Sequence, residues 1–356
     1  MISEIKDTRP ASEFKVITLS NYKKTDVKNA LIDSMMREKI ENACHWSAEL
    51  ICSGHFSEVW EMILLFFSKN IYLGNPKIPL YLKRRYQLFR GVMNNKLFVN
   101  EMELRNSDII RKLFAEIVCI LTFSKKKNSF EYMKIDREEE FDMTKNGDRM
   151  KAPTLEYANK VMKPEDPKEL SIAINELIYS LSVKDNKYSC YWVDWVIEFD
   201  TICRTRKEPC LCFKRDEYPV EKKFKKDIIW LVWESIIHQS EDYSEFMRET
   251  IQALFELFCI KYTSSAGKKR RYILYYAISV LIEPFDINIP LIEDKVLVEF
   301  YKDKINEVYK QIKKNEIVDP NFQYSDKEKN LNKSIDKIKL LSQIDNFMPQ
   351  QCNEEN

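Results

Sequence analysis

A chain of 356 residues with only five glycines is narrowly restricted in what it can fold into. Average usage of about 7% would supply roughly 25. The five are Gly54, Gly74, Gly91, Gly147 and Gly267. Hairpins and tight turns draw on residues that tolerate positive φ, and glycine is the one that does so without steric cost. Such scarcity argues against a sandwich, a barrel or a loop-rich α/β fold, and it leaves helices. It also removes the common phosphate loops. No two glycines stand as in a dinucleotide fingerprint and no stretch reads as a P-loop, so successive backbone N–H groups cannot be brought against a phosphate in those ways. Kinases and ATPases of those types are excluded. The reading leans away from an enzyme and expects no cofactor.

Hydrophobic residues make up 44% of the chain and charged residues 32%, enough for a core under a solvated surface. The net charge is +1, so no global field draws the chain to nucleic acid or an acidic membrane, although local patches are compatible with it. No apolar run approaches the roughly 18 residues that span a bilayer. The densest, Met62 to Phe67, has the length of a core segment. Met1 to Asp7 does not read as a signal peptide. Nine cysteines, an odd number, fit reduced thiols in an intracellular compartment better than a disulfide framework.

Apolar spacing near 3.6 residues organises the rest. Residues 1–20 read as a flexible arm and 21–124 as an N-terminal helical domain. Helices are expected from Val27, capped by Thr25 and Asp26, to Gly54; from Phe56 to Ile71; around Tyr81 to Tyr86; and from Ile109 to Phe123, capped by Asn106 to Asp108. Residues 125–166 form a polar connector, in which Ser129 to Ile135 and Glu140 to Thr144 read as the arms of a small β-hairpin. A C-terminal helical domain follows over 167–318, opening at Pro167. Its helices are expected at Tyr191 to Ile202, Lys226 to His238, Phe246 to Tyr262, Arg271 to Ile282 and Val296 to Lys313. Residues 319–356 are a polar tail with a weak amphipathic stretch, Leu331 to Leu341, suited to docking on a partner. The expected fold is mainly α, with two packed helical groups centred on tryptophans.

Those groups echo each other. Cys44 to Leu50 followed by Val59 to Ile63 resembles Cys190 to Val196 followed by Val232 to Ile236. Lys83 to Tyr86 matches Lys269 to Tyr272. Order is kept and spacing is not. One reading is a pair of diverged repeats in the manner of helical-repeat proteins. The other is chance, because such short strings recur in helical sequences.

Four kinds of residue could carry chemistry. Cys190, Cys203, Cys210 and Cys212 could hold zinc tetrahedrally if the loop folds back on the preceding helix. Their spacing matches no zinc knuckle, and free thiols are the plainer reading. Cys52 and His55 flank a helix break, but no third group orients them as a nucleophile and base. Asp194 and Glu198 lie four apart on one helix face and could share a metal or divide acid and base roles. Together with Glu49, Glu61 and Glu234 they are better read as partners of Arg84, Arg85, Arg270 or Arg271, since buried charges need partners. The tryptophan pairs Trp192 with Trp195 and Trp230 with Trp233 read as core.

Basic clusters are the fourth kind. Arg204, Arg206, Lys207, Lys214, Arg215, Lys222, Lys223, Lys225 and Lys226 face only Glu208, Asp216, Glu217 and Glu221 over residues 204–226. Phe213, Tyr218 and Phe224 interleave, and Lys268, Lys269, Arg270 and Arg271 form a second block. Cations that neutralise phosphates beside aromatics that stack on bases would make a single-strand or RNA surface. A solvated loop balanced by acidic neighbours is the competing account.

Ala43 to Gly54, the turn Gly74 to Pro79, and Asp166 to Leu170 resemble segments of uncharacterised proteins of nucleocytoplasmic large DNA viruses. The likeness covers roughly 27–315 and brings no activity or catalytic residue with it. It implies an infected-cell cytoplasm or virion, viral protein partners, and work in replication, transcription or particle assembly. The function expected is therefore a non-enzymatic helical interaction or structural protein of virion or assembly. The alternative is an accessory nucleic-acid-binding subunit of viral replication or transcription using 204–226 and 268–271.

Overall fold

The long stretches with helical apolar spacing are helical in the computed structural model, which describes residues 4–9, 12–94, 101–137, 141 and 150–318, but the single helix expected from Val27 to Gly54 is two, broken where Glu38 takes φ 58°. Thirteen α-helices and no β-strand occur among the described residues. They are α1 (Lys24–Met36), α2 (Ile40–Cys52), α3 (Phe56–Phe66), α4 (Ile78–Asn94), α5 (Glu101–Arg105), α6 (Asp108–Phe123) and α7 (Ser171–Ser182). Then follow α8 (Asn186–Thr205), α9 (Ile229–Ser240), α10 (Glu245–Phe258), α11 (Ala266–Lys269), α12 (Arg271–Ile282) and α13 (Lys295–Lys313).

Capping follows the chemistry of the local sequence in two places. The Asp185 carboxylate accepts from the Tyr188 amide at 3.0 Å to open α8, and Asp294 accepts from the Leu297 amide at 2.9 Å to open α13. At α1 the expected cap is displaced. The helix begins at Lys24, so Asp26 lies in its first turn, where a negative charge still favours the positive end of the helix. The single helix expected from Phe56 to Ile71 ends at Phe66, and a π-helical turn, Phe67–Ile71, replaces its end. Tyr72 then adopts φ 49°, a conformation rare for a bulky residue. It is held there by burial and by its hydroxyl, which meets the Tyr275 carbonyl at 3.1 Å and also Ser279.

The chain divides into two units that are not consecutive in sequence. The first comprises 1–63, 84–123 and 292–356, and the second 64–83 and 124–291. Three expectations about organisation change accordingly. Helix α13 belongs to the first unit, because its buried face of Val298, Ile305, Tyr309 and Ile312 packs on α2 and α6. Residues 125–137 and 150–166 belong to the second unit and are not a separate connector. The described part of the arm, 4–9 and 12–20, is tied down. Ile5, Phe14 and Leu19 are buried, the Thr8 amide donates to the Ile317 carbonyl at 2.9 Å, and the Ile317 amide donates to Asp7 at 3.0 Å.

In the first unit α2 packs on α1 and α6, and Trp60 meets Tyr86, Phe89 and Phe114 with ring centroids 5.0–5.8 Å apart. Burying three or four such rings supplies much of a core. Arg85 and Glu116 form a buried ion pair at 2.6 Å, and Arg111 stacks 4.1 Å above the Tyr309 ring. In the second unit α7 packs on α8 and α9, α8 on α12, and α10 on α9 and α12. Trp230 and Trp233, both fully buried, pack on Phe255 and Phe258.

No hairpin forms at Ser129 to Ile135. Its backbone is already committed: the Ser129 amide donates to the Lys69 carbonyl at 2.8 Å and the Met133 amide to Asp194 at 2.9 Å. Of the other arm, Glu140 to Thr144, only Phe141 is among the described residues, and the tail 319–356 lies outside them. The repeated strings occupy different settings. Lys83 to Tyr86 lies within α4, whereas Lys269 to Tyr272 straddles the junction of α11 and α12.

Candidate functional site

The carboxylates singled out in the sequence are held by the protein's own donors. Asp194 on α8 is 2% exposed. Its Oδ1 accepts from Arg271 Nη1 at 2.9 Å, and its Oδ2 accepts from the Met133 amide and the Tyr275 hydroxyl. Burial pushes the Asp194 carboxyl above its ordinary range, against the pull of Tyr275, Arg271 and the Met133 amide. Glu198, one turn on, is bound to Arg137 at 2.6 Å. The two carboxylates are thus drawn to different partners and do not share one ligand position. Glu49 accepts from the Ser20 amide at 2.7 Å and the Ser20 hydroxyl at 2.9 Å, and Glu234 accepts from Arg215 at 2.5 Å.

Arg215 is the most enclosed cation of the basic segment. It is fully buried between Asp166, at 2.8 and 2.9 Å, and Glu234. Burial alone would raise the Asp166 carboxyl, but Arg215 and the amides of Lys163 and Phe213 outweigh it and hold it below its ordinary value.

The four cysteines do not come together as a zinc site, and no group of three or more candidate ligands is gathered among the described residues. Cys190 is fully buried on α8 beside Asn186, while Cys212 is buried against the Asp227 carbonyl. Burial raises all four thiols, Cys210 and Cys212 to about 12. Cys52 and His55 make no nucleophile pair. Burial drives the Cys52 thiol well up, and the His55 ring lies 3.9 Å from Glu58.

The basic blocks divide into spent and unspent cations. Lys214 and Lys225 pair with Asp216, Lys223 pairs with Glu221, and Arg271 with Asp194. Arg270 is buried and donates to the Phe258 carbonyl at 2.5 Å. Arg206, Lys207, Lys222, Lys226, Lys268 and Lys269 are exposed and carry no ion-pair partner among the described residues. The expected stacking aromatics are largely internal. Tyr218 is buried 4.8 Å from the Phe255 ring and Phe224 packs on Tyr262, which leaves Phe213 exposed, 5.0 Å from the Lys163 ammonium.

Two clefts flank the C-terminal half of α8. One, of about 530 Å³, brings the two basic blocks together: Arg204 lines it with Lys268 and Lys269. Its lining includes the buried aliphatics Val196, Ile228 and Ile229, and the hydroxyls of Thr201, Ser264 and Ser265. Arg204 donates through Nε to Asp200 at 2.8 Å and its Nη2 lies 3.1 Å from Asp227, which itself accepts from the Tyr262 hydroxyl at 2.9 Å. Burial raises the Asp200 carboxyl despite Arg204, and its Oδ1 has no hydrogen-bond partner. The other cleft, of about 500 Å³, is walled by Ile172, Ile202 and the stacked rings of Trp195 and Phe199, 5.3 Å apart, with Arg137 and Arg206 at it.

Sequence reasoning missed Asp166, Asp227 and the 262–265 turn. Asp166 was readable only as the residue before a helix-opening proline. Its partner stands 49 positions away, a separation no periodicity reports. The one local signal was Asp200 with Arg204, an i,i+4 pair on α8. No protein-family model matches the chain, and no similar curated protein or solved structure is found.

Proposed function

We propose that the chain is a non-enzymatic helical interaction protein that works by holding a partner. The observation that carries this reading is the closure of Asp194. A buried carboxylate with both oxygens occupied by Arg271, Tyr275 and a backbone amide positions helices and offers nothing to a substrate. Glu234 and Asp166 are likewise closed on Arg215. Unspent features lie outside. Val296 and Phe300 stand four apart on the outer side of α13 and are 81% and 44% exposed. The likeness to large DNA virus proteins suggests particle assembly as the setting. The test is size-exclusion chromatography of the full chain with proteins of its native source, beside the Asp194→Asn variant. A stable heteromeric complex is expected. A lone monomer, or an activity that disappears with Asp194, overturns the reading.

Accessory nucleic-acid binding is the second reading, favoured by one observation: Arg204, Lys268 and Lys269 line a common cleft. A gel-shift series with single-stranded RNA and DNA separates the two readings. Phosphate contacts weaken steeply with salt, so retention that ignores salt, or is absent at low salt, rejects it.

A further inference from the structure

The cleft between α8, the start of α9 and the turn at 262–269 combines two surfaces that suit one kind of molecule. Its floor is aliphatic: Val196, Ile228 and Ile229 are each at most 5% exposed. Its rim is cationic and hydroxylated, because Lys268, Lys269, Thr205 and Ser265 are exposed. Arg204 donates through Nε to Asp200 and its Nη2 lies 3.1 Å from Asp227 without a hydrogen bond, so the guanidinium is held between two carboxylates. An arginine oriented in advance by two carboxylates loses less freedom when it meets a ligand. Asp200 is the one carboxylate in the lining, and with Asp227 beside Arg204 the local balance is three cations against two carboxylates.

We propose that this cleft binds a small organic phosphate, with the apolar part of the ligand on the isoleucine floor and its phosphate oxygens on Lys268, Lys269 and Arg204. The volume, about 530 Å³, falls in the range of small-molecule sites, roughly 300–1,000 Å³. The lysines present point charges suited to a phosphate, while the Thr201 and Thr205 hydroxyls donate back to the carbonyls of Ile197 and Thr201. A polynucleotide track would need a continuous run of free cations, whereas the exposed ones here are interrupted by the inward-turned Arg215, Arg270 and Arg271. A bounded, aliphatic-floored cleft matches a single phosphorylated molecule, either a nucleotide with its base on the floor or a prenyl-type diphosphate with its chain there. The proposal does not depend on the interaction reading, and either can fail alone.

The test is direct titration of the full-length protein, followed by thermal shift and calorimetry, with four probes: ADP, farnesyl diphosphate, inorganic pyrophosphate and a 12-nucleotide DNA strand. The expected result is saturable binding of ADP or farnesyl diphosphate, tighter than pyrophosphate. The Lys268→Ala/Lys269→Ala double variant should weaken it about tenfold or more, since two charge-assisted contacts are removed. Both lysines are exposed, so that variant keeps the fold. Ser264→Trp, which fills the cleft, should abolish binding, with circular dichroism reporting whether the fold survives. No binding of either organic phosphate at millimolar concentration overturns the proposal. So does pyrophosphate binding as tightly as both, binding of the strand alone, or affinity indifferent to the double variant. ADP and farnesyl diphosphate responding differently identifies which apolar body the floor accepts.

Discussion

Arg271, the first residue of α12, bonds Asp194 on α8 at 2.9 Å in a site that excludes water from the carboxylate almost completely. The pair ties two helices whose sequence positions are 77 apart. Removing one partner strands the other charge. Asp194→Ala should therefore cost about 3–5 kcal/mol of unfolding free energy, and chemical denaturation measures it. A loss under about 1 kcal/mol would mean that the carboxylate is not a structural anchor.

Arg215 joins Asp166, just before α7, to Glu234 on α9, with no exposed surface of its own. Arg215→Ala leaves two carboxylates facing each other and should destabilise by about 3–5 kcal/mol. Arg215→Lys should recover only part of this, because a single ammonium cannot reproduce the paired donors to Asp166 and Glu234. Equal melting temperatures for the Lys variant and the natural chain would contradict the geometry.

Acid should act on Asp166 and Asp200 with opposite sign. The folded pKa of Asp166 is depressed, so its contribution is complete above the ordinary aspartate value, about 3.9, and is lost as pH falls through the lower folded value. The folded pKa of Asp200 is raised by burial, so its contribution declines as pH rises from about 3.9 through that higher value. Melting curves between pH 2 and 7 should show Asp166→Asn flattening the acid loss. Asp200→Asn should remove the decline on the upper side. Identical pH profiles for both variants would refute the assignment.

Gly74 and Gly91 form a matched pair. A Cβ on Gly74 would stand 2.3 Å from the Lys125 carbonyl oxygen, whereas nothing lies within 4 Å of one on Gly91. Gly74→Ala should cost about 1–3 kcal/mol by forcing backbone apart. Gly91→Ala, in the interior of α4, should gain about 0.5–1 kcal/mol from reduced freedom of the unfolded chain. Two-state denaturation reads both.

Among the described cysteines only Cys203 and Cys210 are partly exposed. Both thiols are raised, Cys210 to about 12, so alkylation should be slow at neutral pH and quicken about tenfold per pH unit as the thiolate appears. Mass spectrometry after brief iodoacetamide treatment should find Cys190 and Cys212 unmodified until the chain is unfolded. A chelator should change nothing. Protection of all four that a chelator relieves would restore the zinc reading.

Helices were legible because their signals are local. The spacing of Leu113, Ile117 and Ile120 declares α6, and Arg271 to Ile282 coincides with α12. Partnerships were legible only in kind. That buried carboxylates would meet arginines followed from the cost of an unpaired charge, and Asp194 does meet Arg271, but Glu234 takes Arg215, which had been assigned to a surface. The turn at Tyr72, beyond the π-helical stretch that follows α3, could not be read, because its positive φ is sustained by Tyr275 and Ser279 some 200 residues on. The cleft beside α8 was half visible. Both basic blocks were marked, yet which cations point outward depends on long-range partners such as Asp166 and Phe258.

The placement of α13 carries a consequence for how the chain is made. Residues 64–83 and 124–291 all precede α13 in the chain, so the second unit can close before α13 leaves the ribosome. The first unit cannot. Until Val298, Ile305 and Tyr309 arrive, the faces of α2 and α6 that they cover stay open to water. A nascent chain whose residue 291 has emerged while α13 is still inside the ribosome would hold one finished unit and one with an exposed apolar seam, the state most in need of a chaperone. Closing that seam joins helices far apart in the chain, and such non-local contacts slow folding.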